Sequence, residues 1–466
     1  MSQHKLLGLL LIVTLLSVGL VSCGGATPPA ATEAPEPTEA PTATKAPEPT
    51  EAPTATKAPE PTEAPAEPVE ITFWNTLDKA VNPSAYEWRA QMLEQFAKEY
   101  PNIIVKEEIT PNSDWNVKIS TAVASQTEPD VFYVRMGAWL DPYVEEGVLL
   151  PLNDYLEQDN WKDTFTSYLE VYNYGGQYYA VPLNTRTIRV YYNKALFEEY
   201  GLEVPETWDE MMAAVKTFRE NDIIPFAAGN KQLFAFDWFY MYIHTRLNGY
   251  EDFQKFLARD GGPGFTAPSF LEAAQKFQEL AQAGAFPEGA TGLDFMEANA
   301  LFWNEQAAMN NFIDLFWDMT KGSAPDVDID FFEFPVFEGV TAEPKALCGG
   351  VGAAVAISSR SEHPDEAATF VKFWTRPDNV TKLTAATGWV TGVKDTIPED
   401  ASPYVKRLVD TIGEAPYVGY YYGDMIKQKT GQEVYWNGLA GLADGSLTPE
   451  QFVQSVEDSA KQEYGR

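Results

Sequence analysis

From Glu70 onward the chain alternates strand signals with amphipathic helix signals. That alternation restricts it to folds in which helices cover a largely parallel sheet. Glu70-Ile71-Thr72-Phe73-Trp74 reads as a short strand. Tyr86 to Tyr100 reads as a helix, because Trp88, Met92, Phe96 and Tyr100 recur every fourth residue on one face, the spacing of a buried core stripe. Pro101 stops it. Ile103 to Ile109 is a second strand, Trp115 to Ser125 a helix, Pro129 to Val134 a buried strand, and Tyr143 to Gly147 a short helix. In such sheets ligands sit beyond the carboxyl ends of the strands, which directs attention to the loops Asn75 to Asn82 and Arg135 to Trp139.

A second unit follows Pro182. Thr207-Trp208-Asp209-Glu210 is a capping box opening a helix that runs to Glu220. Ile223 to Ala227 reads as a strand, and Trp238 to Arg246 and Ser269 to Ala283 as helices. Thr448-Pro449-Glu450-Gln451 repeats the cap with Pro at the first helical position. From His363 onward the chain is mostly helical. Gly350-Val351-Gly352 is half of a dinucleotide fingerprint with Val355 where Gly or Ala is needed, and reads instead as a tight turn before a strand from Ala353 to Ile357.

The first seventy residues have a different composition. Lys5, an apolar run from Leu6 to Leu20 and small residues before Cys23 read as a secretory signal, too short for a comfortable membrane span. Leu20-Val21-Ser22-Cys23 resembles the lipobox of bacterial lipoproteins, in which the Cys is acylated and becomes the new N-terminus. The expected segments are a signal peptide at 1–22, lipidation at Cys23 and a tether at 23–68. Within the tether Thr38 to Pro49 recurs as Thr50 to Pro61. With no aromatic residue and repeated Pro it builds no core. At ~3.1 Å per residue in polyproline form it reaches on the order of 100 Å.

Beyond the tether about 400 residues remain, which implies two lobes or domains. Cys23 and Cys348 are the only two cysteines, so a lipidated Cys23 leaves no internal disulfide and stability must come from the core. The formal charge of -35 excludes the clustered Lys and Arg that a nucleic-acid partner requires. No GxxxxGK[ST], HExxH, GxSxG or EF-hand spacing is present. With 68 acidic residues, a carboxylate pair suited to glycoside hydrolysis cannot be identified from spacing alone.

Several ordered stretches resemble extracellular solute-binding proteins of ABC importers, the family that includes the maltose and oligosaccharide receptors. They are Phe96 to Pro101 with Ile103 and Val105; Pro129-Asp130-Val131-Phe132; Leu149 to Leu152; Gly176 to Asn193; Pro205 to Glu210; Ala307-Ala308-Met309; and Gly349-Gly350 with the strand after them. Two stretches depart from the family pattern. After Met309, where many relatives carry Gly-x-Trp, this chain has Asn310 to Trp317. After Gly388, where a Pro is common, it has Trp389-Val390-Thr391-Gly392. The resemblance implies an α/β, two-lobed, type II periplasmic-binding-protein-like fold, with a ligand cleft between lobes joined by hinge segments. The crossings are expected near Leu183, Pro335 and Trp389. Lobe one is then 69–183 plus 336–389, and lobe two 184–335 plus 390–466.

The function so implied is capture of a sugar or oligosaccharide outside the cytoplasmic membrane and delivery to the transmembrane subunits of an ABC permease. The receptor is expected to be monomeric, held to the membrane by its lipid anchor, without catalytic residues, cofactor, metal or nucleic acid. A sugar needs aromatic planes to stack on and planar polar groups for its hydroxyls. Asn75 and Asp78 follow the first strand, where an ordinary polar turn is the competing role. Arg135 and Trp139 follow the third, against a surface ion pair and a helix cap. Asn184 and Arg186 lie on the crossing segment. Asp237 and Trp238 begin a helix, where Asp237 competes as an N-cap. Asp314 and Trp317 match the region of the family's Gly-x-Trp, Trp389 follows Gly388 at the third hinge, and Tyr421 belongs to an aromatic cluster whose commoner fate is core. The rival readings are a binder of another solute, such as a polyamine or a phosphodiester, and a surface glycosidase.

Overall fold

The computed structural model describes residues 68–465, apart from 260, 261, 263 and 341. The signal segment, Cys23 and the tether up to residue 67 lie outside the described residues. Eleven strands are present among them: β1 (Val69–Asn75), β2 (Ile103–Ile109), β3 (Val131–Val134), β4 (Asn173–Tyr174), β5 (Gln177–Tyr178), β6 (Val181–Asn193), β7 (Ile224–Phe226), β8 (Ala307–Ile313), β9 (Ile329–Phe332), β10 (Leu347–Ile357) and β11 (Val418–Tyr420). Nine of them form one sheet in the order β2-β1-β3-β10-β6-β8-β7, with β11 added to β10 and β9 to β6. β4 and β5 make a separate hairpin.

The sheet is mixed rather than parallel. β1 runs parallel to β2 and β3, and β7 parallel to β8. β10 runs antiparallel to both β3 and β6, and β6 antiparallel to β8 and β9. The local alternation of strand and helix governs the two outer parts, whereas β6 and β10 join them and run against their neighbours. β6 exchanges partners midway: Val181 to Thr187 face β10, and Ile188 to Asn193 face β8 and β9. The exchange falls between Thr187 and Ile188. Twelve of the thirteen residues of β6 are buried, so it reads as a continuous apolar-and-polar run without alternation.

Gly350-Val351-Gly352 is not a turn. It lies inside β10, and the register shifts on either side of Ala353 mark a bulge there. The glycines answer to close packing: a Cβ on Gly350 would lie 2.5 Å from Met136 Cε and 2.8 Å from Tyr421 Cε2.

The core is rich in aromatic clusters. The helix Pro83–Glu99 buries Trp88, Met92 and Phe96, the residues its fourfold spacing singles out. Trp88 meets Trp374 edge-on at 4.7 Å, and Phe96 meets Phe370 and Phe373, both at 5.1 Å. In another cluster Phe265 stacks on Phe270 at 4.2 Å and meets Tyr435 and Phe452, both at 5.8 Å. Such pairs add about 1 kcal/mol each beyond the apolar area they bury. The Thr207 and Thr448 capping boxes are both formed, and a third opens the helix Phe295–Trp303 at Asp294. Cys348 is a buried free thiol, and burial pushes it up to about 12, away from the reactive thiolate form. Among the described residues no helix is long and apolar enough to cross a membrane.

Candidate functional site

The segments that leave the carboxyl ends of β1, β3 and β8 meet β6 and β10 around one cavity of about 350 Å³. That volume lies within the ~300–1,000 Å³ typical of small-ligand sites. Its floor is made by β6 and β10. Asn184 and Arg186 are two residues apart on β6 and so share a face. Asn184 Oδ1 accepts the Ala353 N–H at 2.8 Å, at the β10 bulge. A Cβ on Gly352 would lie 2.4 Å from that same oxygen and 2.7 Å from Arg186 Cγ, so only glycine lets the two polar side chains lie across the strand. The guanidinium of Arg186 rests on Trp389, 3.9 Å from the ring centroid.

One wall is aromatic. The helix Ala235–Asn248 carries Trp238, which packs against Phe234 at 4.6 Å, Phe312 at 5.1 Å and Tyr421 at 6.2 Å. Phe295 and Trp436 extend the same wall. Asp237, beside Trp238, is not a helix cap. Its oxygens accept the Tyr435 hydroxyl at 2.5 Å, the Gly423 N–H at 3.0 Å and the Trp436 indole N–H at 3.3 Å. A π-helical stretch over Lys429–Trp436 sets two consecutive side chains, Tyr435 and Trp436, on the one carboxylate.

Another part of the lining carries polar groups. Arg135 donates to Asn116 Oδ1 at 3.2 Å and to Asn112 Oδ1 at 3.1 Å, so two amides, rather than a surface carboxylate, hold it in place. Trp139 donates its indole N–H to Asp424 Oδ1 at 2.9 Å. The cavity therefore presents Asp237 and Asp424 together with Arg135 and Arg186. Burial raises the carboxyl of Asp237 to about 7, against the three donors that favour its ionised form. Burial also raises Asp424, opposed by Arg135 and Trp139.

Eight of the residues singled out from sequence line this cavity: Arg135, Trp139, Asn184, Arg186, Asp237, Trp238, Trp389 and Tyr421. Four do not. Asn75 is fully buried, donates to Glu107 Oε1 at 2.6 Å and accepts the Leu77 N–H at 2.9 Å, which shapes the loop from within. Asp78 Oδ1 accepts the N–H groups of Ala80 and Val81 in the polar turn that was its competing role. Asp314 sits against Arg186, 3.4 Å from Nη1. Burial raises it to about 6, while Arg186 and Arg189 pull it down. Trp317 stacks on Tyr404 at 3.9 Å and faces a different cavity. Phe234, Phe295, Phe312, Trp436, Asn112, Asn116 and Asp424 also line the site and were missed. The fourfold spacing of Phe234 and Trp238 was visible, but the same spacing marks core residues elsewhere.

Residues 80–381 match the family described as bacterial extracellular solute-binding protein. The chain is 24% identical to the multiple sugar-binding protein of Streptococcus mutans, over 76% of its own length and 84% of the relative's. A solved structure from work on xylan utilization by the thermophilic bacterium Caldanaerobius polysaccharolyticus superposes with a TM-score of 0.78 at 28% identity, covering 84% of this chain and 99% of that one. A chitin oligosaccharide binding protein gives a TM-score of 0.77 at 22% identity, covering 86% of this chain and 100% of the other. With its two-lobed α/β architecture and with most of its length matched, the chain belongs to the bacterial extracellular solute-binding protein family.

Proposed function

We propose that this protein is the substrate-binding component of an ABC importer, that it captures a sugar or oligosaccharide outside the cytoplasmic membrane, and that it hands the ligand to the permease's transmembrane subunits. The observation that carries the reading is the pairing, in one cavity, of an aromatic wall (Phe234, Trp238, Phe295, Phe312) with planar polar groups (Asn184, Arg186, Arg135). Rings offer flat apolar faces to the C–H side of a pyranose, and forked side chains meet its vicinal hydroxyls. Each hydrogen bond nets about 1 kcal/mol, and micromolar binding needs about 8 kcal/mol, so ring burial and several bonds act together. The sugar-binding names of the relatives support the same solute class.

In this reading the lobes comprise 69–183 plus 336–389 and 184–335 plus 390–466, and they close over the ligand about β6, β10 and the Trp389 segment. The protein acts as a monomer and turns nothing over. Cys23 carries the lipid that keeps it beside its importer, with more than one acyl chain, since a single chain holds only marginally. Replacing Cys23 by Ser should move the protein from the detergent phase to the aqueous phase in a partition assay; unchanged partition would discard the anchor.

The test of the ligand class is titration of the purified protein with a panel of neutral mono- and oligosaccharides, read by tryptophan fluorescence and thermal shift. A saturable change that is insensitive to salt supports the sugar reading, because an ionic ligand would weaken with ionic strength. A panel that produces neither signal refutes it.

A further inference from the structure

Asp237 lines the ligand cavity, yet its carboxylate faces the protein. It is 1% exposed, and both oxygens are engaged: Oδ1 by the Tyr435 hydroxyl at 2.5 Å, Oδ2 by the Gly423 N–H at 3.0 Å and the Trp436 indole N–H at 3.3 Å. A carboxylate so enclosed has no open side for a sugar hydroxyl. It joins three segments instead: the first turn of the helix Ala235–Asn248, the helical turn Tyr422–Met425 and the π-helical stretch Lys429–Trp436.

Two features of those segments are explained by Trp436. The first is the π-helical stretch, a rare form that concentrates at functional sites. It ends on Trp436 and brings Tyr435 and Trp436 to the same carboxylate. The second is Gly423. Its φ is not positive, so the backbone does not require glycine. The indole does: a Cβ there would lie 2.0 Å from Trp436 Nε1 and 2.3 Å from Cε2. The ring therefore lies directly on the Gly423 backbone, with its N–H turned to Asp237. Trp436 is partly exposed and lines the cavity. With its one donor spent inside the protein, it gives a ligand only the apolar surface of the ring.

We propose that Asp237 is a positioning residue rather than a ligand contact: with Gly423 and the π-helical stretch it fixes the indole of Trp436 as an apolar face of the cavity, and its effect on binding passes through that ring. The placement of the ring is a property of the protein alone; its effect on affinity rests on the sugar reading of the cavity. Asn at position 237 preserves the arrangement, since its amide oxygen accepts the two N–H groups and its amide NH₂ donates to the Tyr435 oxygen. Leu has a similar size and accepts nothing.

The experiment labels the full-length protein with fluorotryptophan and reads it by fluorine NMR, with Trp436→Phe identifying the Trp436 resonance. In the ligand-free protein Asp237→Asn should leave that resonance in place, whereas Asp237→Leu and Gly423→Ala should shift or broaden it. Calorimetric titration with the saccharide that binds should show about a tenfold loss for Trp436→Ala, the same loss for Asp237→Leu and Gly423→Ala, and little for Asp237→Asn. Adding Asp237→Leu to Trp436→Ala should cost no further affinity, because both remove the same contact. A second loss in that double variant, or Asp237→Asn binding as poorly as Asp237→Leu, would show that the carboxylate meets the ligand itself and would overturn the inference. So would a Trp436 resonance that neither Asp237→Leu nor Gly423→Ala moves. Where Asp237→Leu does not fold, Gly423→Ala displaces the ring with the carboxylate still present, and its comparison with Asp237→Asn decides. If no saccharide binds the native protein the sugar reading falls, while the fluorine spectra still decide whether Asp237 places the ring.

Discussion

The guanidinium of Arg186 is held between an aromatic face and a carboxylate: 3.9 Å from the Trp389 centroid, with Nη1 3.4 Å from Asp314 Oδ1. Trp389 is fully buried and Asp314 is 2% exposed, so neither can relax toward water when Arg186 is removed. Arg186→Ala should therefore destabilise the fold by about 3 kcal/mol or more, most of it the cost of an uncompensated buried charge. Adding Asp314→Asn should return a large part of that loss, because the charge disappears with its partner. Urea unfolding of the single and double variants measures the coupling; strict additivity would show that the contact is not energetic. Arg186→Lys keeps the charge but loses the planar stack, and should weaken sugar binding while restoring stability.

Trp238 offers a cleaner test of the aromatic wall. Its ring is packed by Phe234, Phe312 and Tyr421 and still lines the cavity. Trp238→Phe should retain most of the stability and lose several-fold in sugar affinity through the smaller stacking face. Trp238→Ala should lose on the order of a hundredfold, in line with the ~2 kcal/mol or more of a central aromatic contact. Unchanged affinity in both variants would remove Trp238 from the ligand's path.

The contrast between Trp238 and Trp317 shows what a linear sequence conceals. Both were singled out from sequence as ligand contacts, and both lie near the start of a helix. Trp238 reaches the cavity because its helix follows a loop that Asn230 fixes by accepting the Phe236 N–H. Trp317 comes two residues after Leu315, and that displacement carries its ring past the first cavity to Tyr404. The outer strands and the capping boxes were legible because their signals are local: alternation, Pro stops, Thr and Glu three apart. The antiparallel course of β10 was not, since strand direction in a sheet follows from which distant segment it pairs with. Asp424 was missed for a like reason. Its meaning comes from Trp139, 285 residues away in sequence.

Asp237 should give stability an inverted pH dependence. Its carboxyl is raised from an ordinary 3.8 to about 7 by burial. Between those values the folded protein holds a proton that the unfolded chain has released, so stability from this group falls as pH rises through the window. Asp237→Asn removes the titration. Unfolding free energies of the native protein and the variant, taken from pH 4.5 to 7.5, should show the native losing ground to the variant as pH rises. Parallel curves would contradict the raised carboxyl.

Glu457 should act in the opposite sense. It is 3% exposed, takes Arg259 Nη1 and Nη2 at 3.1 and 2.8 Å, and accepts the Phe265 N–H at 2.7 Å. Burial alone would raise its carboxyl, but Arg259 and the Phe265 N–H outweigh it and leave it below the usual 4.5. A carboxylate lowered by folding contributes stability that is present above the unfolded value and lost as pH falls below it. Arg259→Met leaves the buried charge to the more exposed Lys461, 3.7 Å from Oε1, and should cost about 3 kcal/mol at neutral pH. The cost should shrink in acid, where Glu457 takes up a proton. Arg259→Met with Glu457→Gln keeps an acceptor for Phe265 and removes the buried charge, so it should be more stable than Arg259→Met alone. If the single variant unfolds at the same urea concentration as the native protein, or if the loss is equal at pH 4 and pH 7, the ion pair is not what fastens the helix Pro449–Tyr464 to the turn before the helix Pro268–Gln282.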